Sequence, residues 1–240
     1  MGRSNWNSLV RKYDTMTESW STALTLESPR RHHTLAVNEQ DIFVIGGFGK
    51  HRVILDSVEI FEESANLLKP CQPLPMPMYS VASFCHDGLL YVIKDNSNKY
   101  VYDREMDKWA PAFGNVALPK NLEFNAVMPY KESVYMTAKF NYKLFRFPLK
   151  GSGESAEEAV VVGHFQQETQ NVCMVNSVIY NFSSDQFDYF STVEAYDIET
   201  EKVDLVYKTE DEELDFSPYF SFGCFPLTKY PSFKIKSSCN

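Results

Sequence analysis

Apolar residues along this chain gather in short runs that come in pairs. HTLAVN (33–38) precedes DIFVIGG (41–47), and SVASFCHD (80–87) precedes LLYVIKD (89–95). Likewise NAVMPYK (125–131) precedes SVYMTAK (133–139), and NVCMVN (171–176) precedes SVIYNFS (177–183). Runs of this length bounded by turn residues read as strands, and no stretch of 12 residues holds a helical period without a breaker. Asp87-Gly88 predicts a tight hairpin, because both central positions of such a turn take positive φ. The first two runs of each set are almost wholly apolar, as strands covered on both faces are. The runs that follow are more polar, as outer strands are.

These sets recur. An aromatic followed by an acid stands seven residues before a hydrophobic anchor in Tyr13-Asp14 with Trp20, Phe61-Glu62 with Leu68, Tyr102-Asp103 with Trp109 and Tyr196-Asp197 with Val203. A weaker copy lies in KLFRFPL around Phe147, so that successive aromatics are 48, 41, 45 and 49 residues apart. A period near 46 residues lies within the range of propeller blades. Each unit reads as four antiparallel strands, a (HTLAVN), b (DIFVIGG), c (SVEIFEE, 57–63) and d (around Leu68). The expectation is an all-β, single-domain β-propeller over 1–240, with units at about 1–28, 29–75, 76–119, 120–168 and 169–214 and a closing segment at 215–240.

Composition narrows the function. Of 240 residues, 44% are hydrophobic and 15% aromatic, which is globular and strand-forming. The net charge of −9 argues against a general nucleic-acid or anionic-membrane binder, which needs a basic face. No run of 18 apolar residues occurs and residues 1–14 lack the apolar core of a signal peptide, so a cytoplasmic location is expected. The five cysteines (71, 85, 173, 224 and 239) are odd in number and contain no CxxC, which points to reduced thiols and no zinc site.

The pattern of a strand ending in a glycine doublet, then Tyr-Asp, then Trp resembles the kelch repeat. Its clearest copies are IFVIGGFG (42–49), YDTMTESW (13–20) and YDREMDKW (102–109), with SVEIF (57–61) and TVEAYD (192–197) matching the third strand. The resemblance covers roughly residues 8–207 and is most similar to the kelch-like group, in which BTB and BACK domains precede the propeller. One doublet, Gly46-Gly47, survives; Lys94-Asp95, Ala138-Lys139 and Ser183-Ser184 replace the others, so later blades must turn differently. The fourth unit also carries an insertion, GSGESAEEA at 151–159. The chain opens on a c–d pair and ends on a-like and b-like runs, YFSFGCF (219–225) and SFKIKS (232–237). These two pairs would close a fifth blade; the favoured alternative is a portion of a six-bladed propeller.

The resemblance implies a non-catalytic protein-binding module, the substrate-recognition propeller of an adaptor for a cullin-RING ubiquitin ligase. Contact with the ligase would run through BTB and BACK portions, of which these residues carry no pattern. The alternatives are an actin-binding cytoskeletal kelch protein and a kelch-type enzyme. The five histidines (32, 33, 51, 86 and 164) include one cluster, His32-His33, and neighbours on a strand point to opposite faces, so no metal or other cofactor is expected. P-loops, dinucleotide fingerprints and nucleophile elbows are absent from the sequence, and no catalytic residue is nominated.

Family members present partners to loops entering strand a and leaving strand b. Carried over by the repeat alignment, the entering loops contain Arg30, Arg31, His32, Tyr79, Ser80, Glu123, Phe124, Gln170 and Asn171. The leaving loops contain Phe48, Lys50, His51, Arg52, Asn96, Asn98, Phe140, Asn141, Asp185 and Phe187. Arg30, Arg31, Lys50, His51 and Arg52 form a cationic group in an acidic chain, suited to an acidic peptide because the Arg fork grips carboxylates bidentately. TEDEELD (209–215) reads as a solvated loop or a strip for a basic partner, and LPMPM (74–78) as a connection between blades.

Overall fold

The computed structural model describes residues 9–14, 16–26, 28–38, 41–62, 67–151, 157–185 and 190–209. The closing runs at 219–225 and 232–237, residues 210–215 of the acidic stretch, Phe187, Cys224 and Cys239 lie outside them.

Strands β1 (Leu9–Asp14) and β2 (Ser19–Thr25) form an antiparallel hairpin. A four-stranded sheet follows in sequential order from β3 (Thr34–Val37), β4 (Ile42–Ile45), β5 (Val58–Glu62) and β6 (Leu67–Pro70). The next comprises β7 (Ala82–His86), β8 (Leu89–Ile93), β9 (Lys99–Asp103) and β10 (Lys108–Pro111). The third comprises β11 (Phe124–Tyr130), β12 (Ser133–Ala138), β13 (Lys143–Pro148) and β14 (Val160–His164). The last comprises β15 (Asn171–Val175), β16 (Val178–Asp185), β17 (Phe190–Asp197) and β18 (Lys202–Thr209). Apart from a short 3-10 turn at Lys50–Arg52, the described elements are strands. The sheets are the four-stranded antiparallel blades of a β-propeller.

The aromatic-to-anchor spacing of seven is a hairpin register. It sets Tyr13 opposite Trp20, Phe61 opposite Leu68, Tyr102 opposite Trp109 and Tyr196 opposite Val203. The acid after the aromatic builds the turn between them. Asp14 Oδ1 accepts the Met16 and Thr17 amides, Asp103 Oδ1 that of Met106, and Asp197 Oδ1 those of Glu199 and Thr200. The fifth residue after the aromatic then takes left-handed φ: 51° at Glu18, 48° at Asp107 and 54° at Glu201. The unit around Phe147 has lost the acid, and β14 begins only after the insertion.

The chain divides into two compact units, Met1–Lys139 with Leu144–Val162 and Phe140–Lys143 with Gly163–Asn240. In the first, β3 packs beside β7 and β7 beside β11, the arrangement of inner blade strands. One core cluster there holds Phe43, Ile45, Val58, Leu90, Val92 and Tyr102, and another Ile93, Phe113, Val134, Met136 and Phe147. Phe84, Tyr91 and Phe113 stack within the second. In the second unit Ile179 and Tyr196 are fully buried, beside polar inner positions Asn181, Ser183, Thr192 and Glu194. LPMPM is a structural connection: Leu74 and Met78 are buried, and their amides donate to Asp56 and Leu55 carbonyls.

Candidate interaction face

The loops at one edge of the first two blades are cross-bonded before any side chain acts. Arg31 and Phe48 exchange backbone hydrogen bonds of 3.0 and 2.7 Å, Ser80 N donates to His32 O and Gly47 N to Met78 O. Gly46 and Gly47 have φ of 55° and 101°, and a Cβ on Gly46 would lie 2.4 Å from Met78 O. The doublet is therefore needed where the LPMPM connection crosses it. In the second blade Lys94-Asp95 takes its place, and Asp95 Oδ1 builds the turn by accepting the amides of Ser97 and Asn98.

This scaffold holds an aromatic shelf. Phe48 and Tyr79 pack with centroids 4.3 Å apart, and His32 meets Phe48 edge-on at 5.8 Å. The Arg31 guanidinium lies 5.9 Å from the Phe48 centroid, and Lys94 Nζ sits 4.5 Å over Tyr79 while donating to the Tyr79 carbonyl. Lys50, His51 and Arg52 form the exposed turn two residues beyond Phe48, with φ of 58° at His51 and 62° at Arg52. His32 also takes positive φ, 52°, and β3 starts only at Thr34, so the two histidines are not strand neighbours as the sequence suggested.

Several nominated residues serve the fold instead. Arg30 is 6% exposed; its guanidinium pairs with Glu59 and donates to Ser57 Oγ at 3.0 Å, which removes it from the cationic group. His33 is exposed, but partial desolvation, with the Arg30 charge adding, holds its imidazole below its ordinary pKa. Phe124 is buried in the core, since it begins β11 rather than ending a loop. Asn96 Oδ1 accepts the Leu118 amide at 2.9 Å and Asn98 donates to Asp95. Glu123 is exposed and pairs with Lys139. Gln170 exchanges two 3.0 Å bonds with the Ser184 backbone, and Asn171 begins β15 half-buried. Asp185 ends β16. Phe140 is the opposite case, 77% exposed at a φ of 54°, with Asn141 accepting the Lys143 amide behind it. Bulky residues seldom take that conformation.

Sequence reasoning missed two positions. Lys94 was legible only as the replacement for a glycine. Glu59 and Glu194 share one repeat position two residues before the strand-c aromatic. Glu59 holds Arg30, whereas Glu194 accepts the amides of Gln166 and Gln167 at 2.7 and 3.0 Å; each carboxylate ties down the segment entering strand a of its own blade.

Sequential four-stranded blades with a surviving doublet and repeated aromatic–acid hairpins define a kelch-repeat β-propeller, and this chain is one. The Kelch motif profile matches residues 29–66. The chain is 31% identical over 77 residues to alpha-scruin of Limulus polyphemus, covering 32% of this chain and 8% of that protein. It is 31% identical over 90 residues to Kelch-like protein 40a of Danio rerio (37% and 15%) and 28% identical over 103 residues to Kelch-like protein 7 of Rattus norvegicus (40% and 17%). The chain thus spans less than a fifth of the length of these curated relatives. Kelch repeats make it a protein-interaction module. Among the described residues no helix is long and apolar enough to cross a membrane, and no group of three or more His, Cys, Asp or Glu is placed to hold a metal ion.

Proposed function

We propose that this propeller is the non-catalytic, partner-choosing part of a cytoplasmic BTB-kelch adaptor that delivers bound proteins to a cullin-RING ubiquitin ligase. The observation that supports it is the Phe48–Tyr79 shelf, an aromatic pair on rigidly bonded loops with cations at both rings. Aromatic and Arg side chains on such loops are the residue types that carry binding energy. The likeness to kelch-like proteins supports the ligase part of the reading. The test is capture of partners by the tagged chain, followed by their half-life and ubiquitylation when the chain is expressed in cells. A partner whose turnover slows as the chain competes for it supports the reading. Unchanged turnover of every captured partner refutes the ligase role, and co-sedimentation with actin filaments would replace it with the cytoskeletal one.

A further inference from the structure

We propose that β18 is a self-pairing edge, through which two copies of this chain join. Their β18 strands run antiparallel about a two-fold axis at Val206, so that the last blades of the two copies become one continuous sheet.

The outer strands of the blades differ in how their open side is guarded. β6 and β10 have four residues each and end on Pro70 and Pro111, which have no N–H to give a further strand. β14 has five residues, with Gly163 among them. β18 has eight, Lys202–Thr209, and contains neither proline nor glycine. It ends its sheet, paired to β17 on one side. Leu205, Val206 and Tyr207 on it are 49%, 57% and 42% exposed. A long edge strand with exposed apolar side chains is a template for another strand.

The order of residues in β18 selects a second copy as that strand. Antiparallel pairing about Val206 sets Asp204 of one copy opposite Lys208 of the other, Leu205 opposite Tyr207, and Val206 opposite itself. Opposite charges and aromatic–aliphatic neighbours directly across a ladder stabilise it. Moving the axis to Leu205 sets Lys202 opposite Lys208, and parallel in-register pairing sets every charge beside its own kind; both arrangements repel. The register between β17 and β18 slips at Val193 and Glu194, which face Tyr207 and Leu205 and leave Val206 with no residue opposite. The bend that such a bulge introduces falls on the axis, so the two strands bend at the same point. A two-fold contact of this kind is closed and stops at two copies.

The test is sedimentation equilibrium of the full chain from micromolar to submillimolar concentration, at low salt. The expected result is a reversible monomer–dimer equilibrium. The Asp204–Lys208 pair occurs twice in a two-fold dimer, so Asp204→Lys alone, or Lys208→Asp alone, should weaken association at least about tenfold. An equal mixture of these two single variants should associate again, because each supplies the charges the other lacks. The double variant Asp204→Lys/Lys208→Asp should regain self-association. Val206→Lys, which sets two like charges at the axis, should abolish it. Asp204, Val206 and Lys208 are exposed on an outer strand, and recovery in the mixture cannot come from variants that fail to fold. A monomer at every concentration would overturn the proposal. So would single variants that associate as tightly as the wild type, a mixture no tighter than its components, or a dimer that survives Val206→Lys, which would place the contact on another surface. None of these outcomes bears on partner capture, so the interaction reading stands or falls separately.

Discussion

Removing one partner of the Arg30–Glu59 pair should cost very different amounts depending on which is removed. The Arg30 side chain is 2% exposed and that of Glu59 is 25% exposed. Glu59→Gln removes the compensating charge and leaves a buried guanidinium facing only neutral acceptors, Ser57 Oγ and the Gly46 carbonyl among them. Orphaning a fully buried charge costs about 3–5 kcal/mol, and partial access of water at Glu59 brings the expectation to about 2–3 kcal/mol. For a domain of this size that lowers Tm by about 5–10 °C. Arg30→Met instead leaves a carboxylate that can turn toward solvent, for about 1 kcal/mol. The double variant Arg30→Met/Glu59→Gln should be more stable than Glu59→Gln, giving a coupling above about 1 kcal/mol in the double-mutant cycle. Urea and thermal unfolding of the full chain measure all four corners. Equal costs for the two single changes, or additivity in the double, would refute the claim that a buried guanidinium is what the pair neutralises.

The two classes of glycine should separate cleanly in the same assay. Gly88→Ala meets no atom within 4 Å and should cost only its left-handed conformation, about 1–2 kcal/mol, whereas Gly46→Ala adds the clash with Met78 O and should cost more than about 3 kcal/mol. Partial burial, with Asp41 adding, pushes the Cys85 thiol up to about 11, so alkylation of the native protein at pH 8 should be about 200-fold slower than for a free thiol; rapid labelling of Cys85 would contradict that desolvation. Asp107 accepts from the Tyr102 hydroxyl and the Gln72 amide, which hold its pKa below 3.8. A carboxylate lowered on folding stabilises above its unfolded pKa, so this contribution should be full at neutral pH and fade as pH falls below about 4. Asp107→Asn should flatten the dependence in that window, and an unchanged acid-unfolding curve would refute the role.

The blade plan was legible in the chain because it rests on local rules. Short apolar runs bounded by turn residues, an acid that caps its own turn and a seven-residue register all act within a few neighbouring residues. Tyr102 therefore meets Trp109, and Asp87-Gly88 turns with φ of 50° and 77°, as the letters alone require. The candidate face was legible only in outline. The alignment located its loops, but the direction of each side chain was set by partners distant in sequence. Arg30 turned inward because Glu59, 29 residues on, offers a half-buried carboxylate, while the adjacent Arg31 stayed exposed. Phe124 went to the core and Phe140 to solvent, though both are aromatics at loop–strand borders. Lys94 joined the shelf because the connection carrying Tyr79 passes beside the turn after β8. Sequence by itself determined the elements, their order and the hairpin register. Tertiary packing decided which charges are neutralised inside the blades and which are left exposed, since desolvation is a property of neighbours rather than of sequence.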